Sequence, residues 1–300
     1  MRVWQSKHLK ASEINMGNNQ SVLSELYVYE CRGNQPPQTE PRFEGYLGLW
    51  PEPPFYYLFA DRQVLSQVND WVLEQPGWSV RDQYLLDYDQ WQQGGMESCE
   101  IGSFRILKHG SLDISPDLGR TIWLQPGLVF GSGLHPTTQA CLLAIDRYQH
   151  QLRGAKVIDL GTGSGVLALA CARLGAAGVL AVDCNPMAVR ETRINIGLNR
   201  LGHRIQPVRA MGLGAFRTSL DWLIMNLEFP VLLQLLTEES WRGYPNVLLS
   251  GFMPAMWAEL QRFVPPRYAL NCRIDRHGWC AVLLQSPASG ACEKPGIVSG

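Results

Sequence analysis

The 300 residues carry 26 Lys and Arg against 27 Asp and Glu, a net charge of -1, and only 18% of the chain is charged. That balance excludes a uniformly basic nucleic-acid binder and a disordered acidic chain, while a chain of this length buries about 75% of its extended surface and can build one large domain or two ordinary ones. The average hides an asymmetry, since residues 1–125 hold ten basic and sixteen acidic side chains, and residues 126–300 hold sixteen and eleven.

Eight scattered cysteines show no CxxC or Cys/His group with zinc spacing, so reduced thiols and no bound metal are expected. The first twenty residues lack the apolar core of a signal peptide, and no stretch approaches the roughly 20 apolar residues that cross a bilayer. A soluble cytoplasmic protein with no membrane association is the resulting expectation.

Residues 1–20 are polar and aperiodic and read as a frayed edge. A short strand is expected at 26–29, followed by GNQPPQTEP, whose Gly, Asn and adjacent prolines fit a protruding loop. Further strands are expected at 43–50 and 55–59, separated by PEPP. From 61 to 74 the apolar residues Val64, Leu65, Val68, Trp71 and Val72 recur every three to four positions, the mark of an amphipathic helix, with Asp61 as its cap. A strand at 78–88 completes a small α+β domain over residues 1–90, whose Tyr27, Tyr56, Tyr57, Phe59 and Trp71 read as core rather than as a stacking surface. Residues 91–125 read as a linker region with one possible strand at 104–107.

Beyond Pro126 and Gly127 the pattern becomes short apolar strands, Gly-rich turns and Ala/Leu-rich helices, as in alternating βα units around a mostly parallel sheet. Strands are expected at 156–160, 178–183, 204–208, 220–225, 247–250, 268–274 and 278–284. Helices are expected at 137–148, 166–174, 186–199, 230–239 and 254–263. The last two strands, joined by DRHG, predict an antiparallel hairpin at the end of the sheet. The fold expected for 126–300 is therefore α/β and Rossmann-like.

In KVIDLGTGSGVLALACARLG, residues 156–175, a strand runs into Gly161, Gly163 and Gly165 before a helix. Glycines let the backbone approach a ligand, and the helix N-terminus offers N–H donors. A phosphate-binding P-loop needs a GK[ST] ending that is absent here, and a dinucleotide GxGxxG would need glycine where Val166 stands. The D-x-G-x-G-x-G pattern, with Asp183 ending the next strand, suits S-adenosyl-L-methionine: Gly161, Thr162, Gly163 and Gly165 beside its methionine part, Asp183 accepting from its ribose hydroxyls. A purely structural strand-to-helix turn remains an alternative. Asp159 either ties down the glycine turn or meets the ligand's ammonium group.

Residues 125–142, QPGLVFGSGLHPTTQACL, crowd Phe130, Gly131, Gly133, His135, Thr137 and Thr138 before a helix, and read either as a ligand-covering loop or as a plain capping loop. Thr137 and Thr138 can orient the ligand, and His135 is a positioning or structural residue more readily than a base. In DWLIMNLEFP, Asn226 ends a strand over the same sheet edge, where its amide carbonyl can accept from an attacking amine and align it with a methyl group. Glu228 either favours a cationic amine or faces solvent.

FGSGLHPTT, DLGTGSG and MNLEFP in this order resemble the bacterial ribosomal protein methyltransferases of the PrmA family, within the class I S-adenosyl-L-methionine-dependent enzymes. The resemblance is close over 125–235 and looser upstream. It implies methyl transfer to amino groups, of lysine side chains or an N-terminal amine, in the eleventh large-subunit ribosomal protein. It implies that Phe130, His135 and Thr137 cover the cofactor, that Gly161, Gly163 and Asp183 hold it, that Asn226 lies beside the methyl group as the catalytic residue, and that a small N-terminal domain recognises the substrate. A monomer without direct nucleic-acid contact is expected.

Two departures stand out. The family's Asn-Ile/Leu-Leu-Ala run appears as Asn226-Leu227-Glu228-Phe229, and Arg209-Ala210-Met211-Gly212 lacks the acidic residue often found there for the adenine amino group. A small-molecule methyltransferase, an NAD(P)-binding oxidoreductase and a non-catalytic interaction protein with the same fold are the competing readings.

Overall fold

A computed structural model describes residues 25–87, 98–108, 119–125, 127, 133, 135–214, 216, 220–286 and 296–299. The chain divides into two units, Met1–Gly95 and Met96–Gly300.

The first unit contains β1 (Glu25–Arg32), β2 (Tyr46–Glu52), β3 (Phe55–Ala60), helix α1 (Leu65–Leu73) and β4 (Ser79–Asp87). Its sheet has the order β2-β3-β1-β4 with every neighbouring pair antiparallel. β1 and β2 therefore run parallel with β3 between them, and the chain must cross over the sheet to connect them. The Pro-rich segment makes that crossover without a helix. It does not protrude, because side chains from α1 and the turn after it hold it down. Trp71 Nε1 donates to the Thr39 carbonyl at 3.2 Å, Gln75 Nε2 to Thr39 Oγ1 at 2.9 Å, and Trp78 Nε1 to the Gln35 carbonyl at 3.1 Å. Gln75 Oε1 accepts from the Gln38 N–H at 2.7 Å. Side-chain donors suit a stretch whose two adjacent prolines lack N–H groups.

Asp61 does not cap α1 as expected. The residue before the helix is Val64, whose N–H donates to Tyr29 Oη at 2.7 Å, while Asp61 Oδ1 pairs with Arg62 Nε at 2.8 Å. A buried tyrosine of β1 thus fixes the residue before the helix, and no side chain caps the helix itself. Tyr29, Leu58, Val68, Trp71 and Val72 form the core of this unit.

The second unit begins inside the stretch expected as a linker. β5 (Ser98–Ile101), β6 (Phe104–Lys108) and β7 (Thr121–Leu124) form a three-stranded sheet, β5–β6 antiparallel and β6–β7 parallel. Their Ile101, Phe104, Ile106, Ile122 and Leu124 join the core beneath the main sheet, so burial recruits this segment into the fold. Arg120 and Ser103 both bond the Asp146 carboxylate, Ser103 N at 2.9 Å and Arg120 Nη1 at 3.0 Å.

The remaining elements follow the expected alternation: α2 (Pro136–Arg147), α3 (Gln149–Leu152), β8 (Lys156–Leu160), α4 (Val166–Arg173), β9 (Gly178–Asp183), α5 (Pro186–Leu198), β10 (Ile205–Arg209), β11 (Trp222–Asn226), α6 (Phe229–Thr237), β12 (Asn246–Phe252), α7 (Trp257–Gln261), β13 (Ala269–Arg276), β14 (Trp279–Gln285) and β15 (Gly296–Ser299). The helix expected at 254–263 is shorter, because a single 3-10 turn at Pro254–Met256 precedes α7.

The main sheet has the order β10-β9-β8-β11-β12-β14-β13-β15. β8 to β12 are parallel, and β14 inserts antiparallel between β12 and β13 as the expected hairpin. Alternate residues of the central strands feed two cores. Val157, Val179, Ile224 and Leu248 pack on one face with α2 and α4, and Ile158, Leu160, Met225 and Leu249 pack on the other with α6 and α7. Burial of both faces explains why these strands read as continuous apolar runs. This is a Rossmann-like α/β architecture, preceded by a small α+β unit.

Candidate functional site

Strand order reverses between β8 and β11, since the chain proceeds from β8 outward to β9 and β10 and then returns to place β11 on the other side of β8. In such sheets the crevice beyond the carboxyl ends of the two switch-point strands is where ligands bind. The glycine turn follows β8 and Asn226 ends β11, so the two strongest sequence signals meet at this crevice.

Gly161, Gly163 and Gly165 have φ of +75°, +57° and +87°, values at which a Cβ would be strained. The turn is anchored on all sides. Gly161 N and Thr162 N both donate to the Val182 carbonyl at 2.8 and 3.0 Å, and Gly165 N donates to the Thr162 carbonyl at 2.9 Å. Asp159, 1% exposed, accepts through Oδ2 from Thr162 Oγ1 at 2.6 Å and from Ala168 N at 3.2 Å. Of the two roles open to Asp159, this geometry supports tying down the glycine turn. Burial pushes its carboxyl up to about 6.

Asp183 at the end of β9 accepts from Gly163 N at 3.0 Å through Oδ2 and from Asn185 N at 2.9 Å through Oδ1. A carboxylate has about four acceptor sites, which leaves capacity for a hydroxyl beside its backbone donors. Burial raises the Asp183 carboxyl, opposed by those backbone donors. Asn185 caps α5 by accepting from Met187 N at 2.9 Å. A glycine turn, a held carboxylate one strand away and a helix N-terminus are the groups that an amino-acid-bearing nucleoside requires, so these residues fit S-adenosyl-L-methionine.

His135 is the N-cap of α2. Its Nδ1 accepts from Thr137 N at 3.3 Å and lies 2.8 Å from Thr137 Oγ1, and its ring meets Trp279 edge-on with centroids 5.0 Å apart. Burial lowers its pKa, which favours the neutral ring that a capping acceptor needs. Thr137 and Thr138 are both buried. Thr138 Oγ1 accepts from Asn226 Nδ2 at 3.3 Å, joining the start of α2 to the end of β11. With its Nδ2 so engaged, the Asn226 amide is turned, and among the described residues no donor reaches its carbonyl oxygen. Phe130 and the greater part of the loop before His135 lie outside the described residues. Glu228 is exposed at the start of α6, without a side-chain capping bond.

Two residues of α5, Thr192 and Asn195, and Asn199 at its C-terminal cap were not singled out by sequence. Thr192 Oγ1 donates to the Gly163 carbonyl at 2.8 Å and Asn195 Nδ2 to the Ser164 carbonyl at 2.8 Å. Asn195 Oδ1 also accepts from Gln125 N at 2.7 Å, while Asn199 bonds both the N–H and the carbonyl of Trp123 on the outer edge of β7. Their i, i+3, i+7 spacing marks one helix face, but polar residues on a helix ordinarily read as its solvent side. Among the described residues no group of three His, Cys, Asp or Glu is placed to hold a metal, and no helix is long and apolar enough to cross a membrane.

Fold and site together define a class I S-adenosyl-L-methionine-dependent methyltransferase. Residues 99–287 match the family model described as ribosomal protein L11 methyltransferase (PrmA). The chain is 39% identical over 262 residues to a ribosomal protein L11 methyltransferase of Methylococcus capsulatus, covering 80% of this chain and 85% of that protein. It is 32% identical over 246 residues to the protein of that name from Bradyrhizobium diazoefficiens, covering 76% and 81%. The crystal structure of a ribosomal protein L11 methylase from Lactobacillus delbrueckii subsp. bulgaricus shares the fold, with a TM-score of 0.56 and 24% identity over 64% of this chain and 99% of that one. The chain belongs to the ribosomal protein L11 methyltransferase (PrmA) family.

Proposed function

We propose that the chain methylates amino groups, a lysine side chain or an N-terminal amine, of a ribosomal protein, and that the acceptor is the L11 protein for which its relatives are named. The observation that carries this reading is the Asn226 amide, anchored through Nδ2 by Thr138 so that its carbonyl oxygen is left to accept a hydrogen bond from an attacking amine. When bound, S-adenosyl-L-methionine supplies an electrophilic methyl group on a sulfonium.

The residues of the chain divide the remaining work. Gly161, Thr162, Gly163 and Gly165 hold the methionine part, Asp183 accepts from the ribose hydroxyls, and Asp159 keeps the turn rigid. His135 and Thr137 fix the start of α2. Asn226 accepts from the N–H of the neutral amine, directing its lone pair toward the methyl carbon, which is a gain through orientation. Among the described residues no His, Asp, Glu or Lys side chain hydrogen-bonds Asn226, and the ammonium proton is taken to leave to solvent before attack. The small unit, with seven basic and twelve acidic residues over 1–95, receives a basic substrate. The chain works as a monomer in the cytoplasm, without direct nucleic-acid contact.

Asn226→Ala tests this reading. The expected result is a fall in kcat on the order of 10²-fold with S-adenosyl-L-methionine affinity held within a few-fold, measured by transfer assay and calorimetry. An unchanged kcat contradicts it.

A further inference from the structure

The helix face of α5 reaches two segments distant in sequence. Asn195 is fully buried, and its single amide spans them: Oδ1 accepts from Gln125 N at 2.7 Å, where the chain leaves β7, and Nδ2 donates to the Ser164 carbonyl at 2.8 Å, within the glycine turn. Two further facts make this more than packing. A trans peptide points its C=O and N–H in opposite directions, so a donor that fixes the Ser164 carbonyl toward α5 also fixes the Gly165 N–H away from α5, toward Thr162 O, which it reaches at 2.9 Å. Gly163 and Gly165 on either side have φ of +57° and +87°, and glycines resist rotation of these peptide planes least of all residues. Val182, Thr162 and Asp159 anchor the turn from the sheet side, and the Ser164 carbonyl is held from α5 by Asn195.

We propose that Asn195 is a positioning residue of the cofactor site, setting the peptide orientation of the glycine turn and its spacing from Gln125, which follows β7. Asn199, one turn further along, makes the comparison possible. Its side chain clamps the edge of β7 through Trp123 N at 2.9 Å and Trp123 O at 2.6 Å, and also donates to the Asn195 carbonyl at 2.8 Å and accepts from Arg173 Nη2 at 3.1 Å, rather than bonding the carbonyls of the glycine turn. A purely structural role predicts the same outcome for both asparagines; a positioning role separates them. The proposal rests on the reading of the glycine turn as the S-adenosyl-L-methionine site.

The test compares the full-length wild type, Asn195→Leu, Asn195→Asp and Asn199→Leu by thermal melting and by calorimetric titration with S-adenosyl-L-methionine. Asn195→Asp keeps the acceptor for Gln125 N but sets an oxygen against the Ser164 carbonyl, and it stands in for the leucine variant if that one fails to fold. Both Asn195 variants are expected to bind roughly tenfold or more weakly, as loss of a buried hydrogen-bond partner implies, with KM for S-adenosyl-L-methionine raised and kcat at saturation little changed. Asn199→Leu is expected to lower the melting temperature without changing the dissociation constant more than about twofold. Wild-type binding that survives undiminished in the Asn195 variants, or that falls equally in Asn199→Leu, overturns the positioning role alone. Failure of the wild type to bind overturns the cofactor reading, and the positioning role with it.

Discussion

At the carboxyl edge of β8 and β11, Gly161 faces Leu227, and a Cβ on that glycine would lie 2.1 Å from Leu227 Cδ2. Leu227 is confined from the other side as well, since a Cβ on Gly251 would lie 1.8 Å from the Leu227 carbonyl oxygen. The residue next to Asn226 is thus held between two glycines. Gly161→Ala adds about 1–2 kcal/mol of left-handed backbone strain and drives Leu227, and Asn226 with it, out of register. The expected result is loss of both thermal stability and S-adenosyl-L-methionine affinity, read by melting and calorimetry. Asp183→Asn tests the ribose contact. Losing hydrogen bonds to a charged group costs about 1.5–3 kcal/mol, roughly 10- to 150-fold in the dissociation constant, and calorimetry reads that shift directly. The glycines, Asp159 and Asp183 were legible in the sequence because their types and spacing are local. The role of Thr138 was not, because its partner Asn226 lies far along the chain and meets it only across the sheet edge.

Helix α2 carries a pH dependence that belongs to the element rather than to one atom. Its N-cap is neutral His135, whose pKa burial holds below the ordinary value near 6.5. A lowered native pKa gives stability that is present above the unfolded value and is lost as pH falls through the native one. Asp159, raised to about 6 by burial, acts in the opposite sense: its contribution is present at low pH and is lost as pH rises through about 6. The two overlap, so the difference between wild type and His135→Asn isolates the cap. Asparagine also caps helices but does not titrate. The wild type is expected to lose stability relative to this variant below about pH 6.5, seen in melting temperatures across a pH series. Most strands and helices of the second unit lie within two residues of their predicted ends, because each is a short apolar run closed by Gly, Pro or an acid. β6 matches the strand expected at 104–107, whereas β5 and β7 are obscure for the converse reason: strands of four residues give too few alternations to announce a sheet, and their burial depends on a core assembled from residues much further along.

The near-zero net charge of the whole molecule divides between its parts. Residues 1–95 hold seven basic and twelve acidic side chains, and the remainder nineteen and fifteen. Under the proposed function the acidic first unit would attract a basic protein through a screened interaction, with a Debye length of about 8 Å at physiological salt and about 3 Å at 1 M. KM for the protein acceptor is therefore expected to rise with added salt, while the dissociation constant for S-adenosyl-L-methionine, set by groups buried in the second unit, changes far less. Steady-state kinetics and calorimetry over a salt series check this. The crossover of the first unit shows what sequence alone could not supply, since the Pro-rich run looks like a free loop until Trp71, Gln75 and Trp78 are seen to hold it. The departure at Leu227-Glu228-Phe229 leaves Asn226 anchored to Thr138. Incubation of the protein with labelled S-adenosyl-L-methionine and a cell extract containing ribosomal proteins, followed by mass spectrometry of the labelled product, tests the account most directly. Label on amino groups of the L11 protein, greatly reduced with Asn226→Ala, is the predicted result; label confined to small molecules, or to a protein outside the ribosome, would contradict it.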